Sequence, residues 1–193
     1  LEGKHSRMKW LIFIPLSLLF GCNEKMTSVS VTEFESFVSN TGYKTDAENY
    51  GWSYVQQSVF TVDTVHHADW RKPDGVHPSK PEDPVTQVSY NDAIAYCKWA
   101  GTRLPTYSEY WVNTKHDNRR INTESMAIEN RDRVSIIGNV WELCASDLPN
   151  VVPLAGGSYL CSKKMCYGTS KEKKISVDPF TANRHIGFCV LDN

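Results

Sequence analysis

The clearest helical pattern in the chain lies between Tyr90 and Gly101. Its apolar side chains recur at intervals of three and four residues, at Ala93, Ile94, Cys97 and Ala100. Ser89 or Asn91 is suited to cap the first turn, and Gly101 is suited to end the last one. The spacing predicts one amphipathic helix with one buried face.

Two further helices are predicted on similar grounds. The segment Thr32–Thr41 begins with Thr32 as a candidate N-cap and is followed by Gly42 as a stop. Its apolar face consists of Phe34, Phe37 and Val38. Later in the chain, Thr106 and Glu109 have the spacing of a capping box, in which each side chain bonds the backbone N–H of the other residue.

The remaining apolar stretches are short and have the composition of β-strands. They are Val59–Val62, Val140–Leu143, Tyr159–Leu160 and Gly187–Val190. Four prolines between Trp70 and Pro84 predict a rigid, irregular segment, and the polar stretch Asn113–Ser135 predicts a surface loop. Short strands around a few helices predict a single α+β domain of low regularity.

Composition narrows the class of protein. The chain has 193 residues, of which 40% are hydrophobic and 11% aromatic, and this content is too high for a disordered chain. The net charge is −1, whereas a protein that binds mainly a nucleic-acid backbone carries an excess of positive charge. No nucleic-acid partner is therefore expected. The length suits one domain.

The N-terminal region has the layout of an export signal. Met8 and Lys9 precede about a dozen mainly apolar residues that end at Cys22. The sequence Leu-Phe-Gly-Cys resembles a bacterial lipobox, in which the cysteine is lipidated. We therefore expect upstream residues at 1–7, a signal peptide at 8–21, a lipidated tether at 22–30 and the folded domain at 31–193. The expected location is the bacterial cell envelope, with a lipid anchor in the membrane; the alternative is an ordinary secretory signal with Cys22 incidental.

Cysteines are the main candidates for chemistry. Cys161 and Cys166 are separated by four residues, a spacing that allows a local disulfide and also a site for a soft metal ion such as Cu(I), which prefers thiolates. Without Cys22, five cysteines remain, so at least one stays free or pairs with another chain. Cys144 is interpreted as a small buried hydrophobic residue. His66 and His67 are interpreted as surface histidines, because neighbours on an extended strand point to opposite faces.

Five ordered segments resemble the formylglycine-generating enzyme (sulfatase-modifying factor) family. They are the segments 31–53, 68–73, 83–110, Gly138-Asn-Val-Trp-Glu142, and Gly156-Gly-Ser-Tyr-Leu-Cys161 with Cys166-Tyr167 and His185-Ile-Gly-Phe188. The resemblance covers nearly all of the chain from Val31 onward. It implies a fold related to C-type lectins, which agrees with the α+β prediction.

The resemblance also implies an activity. Oxidases of this family use molecular oxygen to convert a cysteine of a protein or peptide substrate, such as a sulfatase, to formylglycine. By resemblance, Cys161 and Cys166 are the catalytic pair and the copper ligands. Ser158 and Trp141 line the same site. The competing hypothesis is a non-catalytic envelope lipoprotein that uses this fold to bind a protein or another ligand.

The family further implies calcium and a disulfide. The calcium ligands would be Ser135, the carbonyl oxygens of Gly138 and Val140, and the carboxylate of Glu142; hard oxygen donors of this type suit calcium. The alternative for Glu142 is a carboxylate that supports the local turn. The implied disulfide is Cys97–Cys189, although Cys189 stands one position early, and on a strand such a shift turns the side chain to the other face.

Overall fold

Four helices in the described part of the chain begin with a capping box. The computed structural model describes residues 26–114, 137–161 and 170–193. Its helices are α1 (Val31–Thr41), α2 (Asp46–Tyr50), α3 (Tyr90–Ala100) and α4 (Tyr107–Asn113). Each helix has a complete capping box, formed by Ser30 and Glu33, Thr45 and Glu48, Ser89 and Asp92, and Thr106 and Glu109. Such boxes satisfy two backbone N–H groups that lack partners within the helix.

Most of the predicted helix ends are confirmed. Ser89 caps α3, Gly42 and Gly101 end their helices in the left-handed conformation, and Thr106 caps α4. The predicted cap of α1 is wrong, because Ser30 holds that position and Thr32 lies inside the first turn.

In the part of the chain that the structure describes, nine short strands form three small sheets. The strands are β1 (Thr27–Ser28), β2 (Trp52–Ser58), β3 (Thr61–His66), β4 (Thr102–Arg103), β5 (Trp141–Leu143), β6 (Val152–Ala155), β7 (Ile175–Val177), β8 (Ile186–Gly187) and β9 (Cys189–Asp192). Their orders are β1-β9-β4, β2-β3 and β7-β6-β5-β8. The mixture of short strands and helices confirms the α+β prediction. Tyr159 and Leu160, predicted as a strand, form a turn instead.

The extended segment from β8 through β9 divides its side chains between two apolar clusters. Ile186, Phe188 and Val190 face the main cluster, where Phe34 packs against Phe37, Trp70, Tyr96 and Phe188. Cys189 and Leu191 face a second cluster that also contains Met26, Tyr110, Cys144 and Ala155. This alternation is the period of two that a strand imposes. The burial of Cys144 agrees with its interpretation as a small buried residue.

The expected Cys97–Cys189 disulfide is not formed in the structure. Both residues are buried free thiols, Cys97 in the main cluster and Cys189 in the second. The residue of β9 that faces the cluster of Cys97 is Val190. The shift by one position therefore turns Cys189 away from the helix that carries Cys97.

The carboxylate of Asp92 joins the N-termini of α2 and α3. It accepts hydrogen bonds from the backbone N–H of Asp46 (3.1 Å) and of Ser89 (2.8 Å), and from the hydroxyl of Tyr43 (3.0 Å). Its side chain is fully buried, and this burial raises the pKa of Asp92 to about 6. The interaction fixes the short helix α2 against α3.

The close approach of β8 to the segment around Val85 requires a glycine. A Cβ atom on Gly187 would lie 2.5 Å from the carbonyl oxygen of Val85. The same segment is tied to the N-terminal strand, because the N–H of Val85 bonds the carbonyl oxygen of Val29 at 2.9 Å. Gly187 thus allows β8 to lie beneath this segment and beside β5.

Within the described residues, none of the helices has the length and apolar content needed to cross a membrane. The predicted signal peptide and residues 22–25 of the predicted tether lie outside those residues. Residues 26–30, predicted as the rest of the tether, are part of the fold, because β1 pairs with β9 and Met26 is fully buried.

Candidate functional site

A cleft of about 270 Å³ opens beside the four-stranded sheet. Its apolar wall includes Trp141 of β5, Leu154 of β6 and Ile186 of β8. Two polar groups and a thiol project into it, from Ser158, His185 and Cys161. Three of the predicted site residues, Trp141, Ser158 and Cys161, are therefore brought together.

A tight turn holds Cys161 in the cleft. Gly156 and Gly157 both have positive φ angles, of 86° and 73°, which redirect the chain directly after β6. The N–H of Cys161 then bonds the carbonyl oxygen of Ser158 at 2.8 Å, and the N–H of Tyr159 bonds that of Asn139 at 2.7 Å. The thiol is fixed by backbone contacts and is 5% exposed.

Ser158 contacts the Cys161 sulfur directly. Its backbone N–H donates to Sγ at 3.4 Å, and its hydroxyl oxygen lies 4.0 Å from the same sulfur. These contacts fix the position of the sulfur in the cleft. Sulfur can act as a nucleophile and can bind a soft metal ion, so a fixed sulfur suits either role.

His185 is the next residue in this set of polar contacts after Cys161 and Ser158. Its Nδ1 shares a hydrogen bond of 3.2 Å with the Ser158 hydroxyl. Burial, together with the charge of neighbouring Arg184, lowers the pKa of His185 to about 4, so the imidazole is neutral near pH 7. Cys161, Ser158 and His185 therefore form a continuous chain of polar contacts that begins at the sulfur.

His185 has no site role in the sequence-based hypothesis. Its segment was recognised only for its resemblance to the family, and a single histidine gives no spacing pattern that marks a site. The two loops that bear Ser158 and His185 are 27 residues apart in sequence. Only the pairing of β5 with both β6 and β8 brings those loops together.

The predicted copper pair is described only in part. Cys166 lies outside the described residues, so the arrangement of the C-x4-C pair stays a prediction. Among residues 26–114, 137–161 and 170–193, no group of three or more His, Cys, Asp or Glu side chains could hold a metal ion. His66 is exposed, as predicted for a surface histidine, and lies on β3 away from the cleft lining.

Three of the four predicted calcium ligands lie in β5 or in the turn directly before it. Gly138 has a φ of 85° in the turn before this strand, and its N–H bonds the carbonyl oxygen of Gly156 at 2.7 Å. Val140 is buried in the same turn, and the Glu142 side chain is fully buried. Ser135 lies outside the described residues. The three described donors are the oxygens of Gly138, Val140 and Glu142, which belong to the class that calcium binds.

Comparison with known proteins gives the same family as the sequence motifs. Residues 25–120 match the family model described as a sulfatase-modifying factor enzyme 1-like domain. The formylglycine-generating enzyme of Bos taurus is 29% identical over 239 aligned residues, which cover 86% of this chain and 64% of that enzyme. The chain thus spans somewhat less than two thirds of the relative's length.

Other relatives show that the family is chemically diverse. An inactive C-alpha-formylglycine-generating enzyme 2 of Bos taurus is 39% identical over 42% of this chain and 34% of its own length. Hercynine oxygenase of Mycolicibacterium thermoresistibile is 31% identical over 42% of this chain and 19% of its own length.

A solved structure supports the fold. The structure of PvdO from Pseudomonas aeruginosa has a TM-score of 0.59 and 12% sequence identity, and the match covers 86% of this chain and 78% of that one. The chain therefore belongs to the sulfatase-modifying factor family, which includes formylglycine-generating enzymes, inactive paralogues and hercynine oxygenase.

Proposed function

We propose that this protein is an oxidase that converts a cysteine of a protein or peptide substrate to formylglycine. The observation that carries the proposal is the Cys161 thiol, which is held in the cleft by the Ser158 N–H and is linked through the Ser158 hydroxyl to neutral His185. A cysteine side chain is much smaller than the cleft of about 270 Å³. The substrate would be a cysteine-containing segment such as that of a sulfatase.

Copper fits the donor type in this cleft. Cu(I) prefers soft sulfur ligands, and the described part of the site supplies one such ligand, Cys161. Cys166 would be the second, on the basis of its spacing in the sequence. When bound, the copper ion would supply electron transfer between the substrate thiolate and molecular oxygen.

The protein's own residues have separate roles in this proposal. Ser158 holds the sulfur of Cys161 in position through its N–H. His185 positions the Ser158 hydroxyl through the hydrogen bond at its Nδ1, and its imidazole stays neutral near pH 7. Trp141, Leu154 and Ile186 exclude water from the sulfur, which strengthens each of these polar contacts.

The test measures copper binding and product in parallel. Cu(I) is titrated into the wild type and into Cys161→Ser and Cys166→Ser, and oxygen consumption is followed with a cysteine-bearing peptide. We expect thiol-dependent binding, and an aldehyde on the peptide that a hydrazide probe captures. Each serine variant should lose at least 100-fold in rate, since loss of an activated nucleophile or ligand has effects of this order.

Cys97→Ser is the matched control, because it also removes a buried thiol, but Cys97 lies on α3 and does not line the cleft. It should retain copper binding and aldehyde formation. If the wild type binds Cu(I) no better than the two cleft variants and forms no aldehyde, the oxidase proposal is wrong.

A non-catalytic role is the second candidate. The similarity to an inactive member of the family favours it. In that case the wild type would retain a peptide or envelope protein without oxygen consumption, and Cys161→Ser and Cys166→Ser would leave this binding unchanged. The two functions thus predict opposite responses to the same substitutions.

Calcium is proposed as a structural ion at Gly138, Val140, Glu142 and Ser135. The Glu142 side chain is fully buried, and its carboxylate is an oxygen donor of the class that calcium binds. Calcium should raise the melting temperature of the wild type but not that of Glu142→Gln. An equal shift for both proteins would refute the assignment.

We further propose that the protein is exported and anchored by a lipid on Cys22, with the domain on the envelope side of the membrane. The basis is the sequence from Met8 to Cys22. Cells that express the chain should incorporate labelled fatty acid into the wild type and not into Cys22→Ser. Secretion of the unlabelled wild type would favour an ordinary signal peptide.

A further inference from the structure

Two buried cysteines outside the cleft occupy equivalent positions on neighbouring segments. Strands β5 and β8 are parallel, and their paired residues are Trp141 with Ile186 and Glu142 with Gly187. Two residues further along each segment in the same register are Cys144 and Cys189. Continued by two residues beyond the last observed pair, this register would place the two thiols side by side.

The side chains of the two cysteines also point to the same face. Leu143 and Phe188, one position earlier on each segment, both pack in the main cluster. Cys144 and Cys189 both pack in the second cluster, as alternation along extended segments requires. Burial is the main cause that raises the pKa of Cys189, and Cys144 adds to it, as expected for two thiols in one cluster.

The spacing of parallel strands suits a disulfide. Neighbouring strands lie about 4.8 Å apart, and disulfides join Cα atoms that are about 4.4 to 6.8 Å apart. Both residues are at most 1% exposed, and in the structure both are free thiols. We infer that Cys144 and Cys189 are the redox partners of this fold and form an intramolecular disulfide under oxidising conditions.

The bond forms by thiol–disulfide exchange with a small disulfide such as oxidised glutathione. One protein thiolate attacks a sulfur of that disulfide and releases one glutathione thiol. The second protein thiolate then attacks the mixed disulfide and releases the other. The reagent gains two electrons and the two protons that the protein thiols lose, so the products are one protein disulfide and two glutathione molecules.

The surroundings of these thiols determine when the exchange occurs. Burial and the negative charge of Glu142 raise the pKa of both Cys144 and Cys189. Few thiolates therefore exist in the closed fold, and exchange is slow there. We expect the bond to form during folding, or when β9 opens transiently.

The disulfide would enclose the candidate site. The chain between Cys144 and Cys189 carries Ser158, Cys161 and His185. It would also join β5, which supports the cleft, to β9, which pairs with β1 and β4. Because it restricts a long loop of the unfolded chain, it should raise the melting temperature by on the order of 10 °C.

Peptide mapping tests the assignment without any assumption about activity. The full chain is reduced, unfolded in urea and refolded in oxidised glutathione, and free thiols are then blocked with N-ethylmaleimide. Mass spectrometry of the unreduced digest should detect a linked peptide pair that contains Cys144 and Cys189. A pair containing Cys97 and Cys189, or N-ethylmaleimide on Cys144 and Cys189 in the refolded protein, would overturn the inference.

Melting temperatures provide the second measurement. The difference between oxidised and reduced protein should be on the order of 10 °C for the wild type. It should vanish in Cys144→Ala and in Cys189→Ala, and persist in Cys97→Ala, which removes a buried thiol from the other cluster. Persistence of the difference in either of the first two variants would also refute the pairing.

Discussion

His185 should make the stability of the domain depend on pH in a way that one substitution removes. In the folded chain the pKa of His185 is lowered to about 4, whereas the ordinary value is 6.5. Below pH 6.5 the unfolded chain therefore binds a proton that the folded chain does not bind until about pH 4. The stabilisation from neutral His185 is complete above pH 6.5 and is lost as the pH falls to 4.

The expected magnitude follows from the two pKa values. A difference of one pKa unit corresponds to about 1.4 kcal/mol. The gap between 6.5 and about 4 therefore corresponds to about 3 kcal/mol of unfolding free energy, an order-of-magnitude value. This is a large share of the stability of a typical domain, which is about 5 to 15 kcal/mol.

The measurement compares the wild type with His185→Asn. Asparagine places an amide near the position of Nδ1, so it can keep a hydrogen bond to Ser158, but it does not titrate. Urea unfolding at a series of pH values, followed by tryptophan fluorescence, gives the free energy of unfolding for both proteins. The wild-type value minus the variant value should fall by about 3 kcal/mol between pH 7 and pH 4.

The difference in unfolding free energy between the two proteins reports His185 alone, because the other titrating groups are present in both. Asp92, whose pKa is raised to about 6, acts in the opposite direction over the same range and is present in both proteins. A difference that stays constant, or that rises as the pH falls, would show that His185 is not buried in its neutral form beside Ser158.

Three further predictions concern the fold that supports the cleft. The first compares the wild type with Asp92→Asn by urea titration. The wild-type unfolding free energy minus that of the variant should rise as the pH falls from about 6 to 3.8, because the folded chain binds a proton at Asp92 before the unfolded chain does. A difference that does not rise would contradict the burial of this carboxylate. Gly187→Ala should lower the free energy of unfolding by about 2 to 3 kcal/mol, since its Cβ meets the Val85 carbonyl. Gly101→Ala, whose Cβ has no atom within 4 Å, should lower it by about 1 kcal/mol. Equal losses of stability in thermal unfolding would refute the close approach at Gly187. Phe34→Ala should lower the free energy of unfolding by about 3 to 5 kcal/mol. The side chain of Phe60 is 78% exposed, so Phe60→Ala should lower it by no more than about 0.5 kcal/mol. A small loss for Phe34→Ala would mean that the main cluster is not centred on Phe34.

Much of the local structure was predictable because its causes are local. The caps of α3 and α4 depend on residues three positions apart, and left-handed ends require a glycine at one position. Thr32 was predicted wrongly as a cap, since the serine two residues earlier satisfies the same N–H groups and the sequence alone does not rank them. Tyr159–Leu160 has strand composition, but the glycine pair before it and the hydrogen bond to Asn139 hold it in a turn.

The candidate site was predictable where it follows a motif. Ser158 and Cys161 lie three residues apart, so one turn places both, and the family motif identified them. Cys166 and Ser135 remain predictions. His185 could not be found in this way, because its contact with Ser158 depends on the pairing of three strands.

The cysteines show which features the sequence determines and which ones the tertiary structure decides. The sequence by itself determined the fold class, the main helices, the family and the cleft thiol, because these follow from short-range periodicity and contiguous motifs. Only the tertiary structure decided which cysteines share a cluster. A strand alternates its faces residue by residue, so the position of Cys189 relative to Val190 separates it from Cys97 and brings it to Cys144. That outcome depends on the register between β5 and β8, which is set by packing far along the chain and not by the residues next to either cysteine.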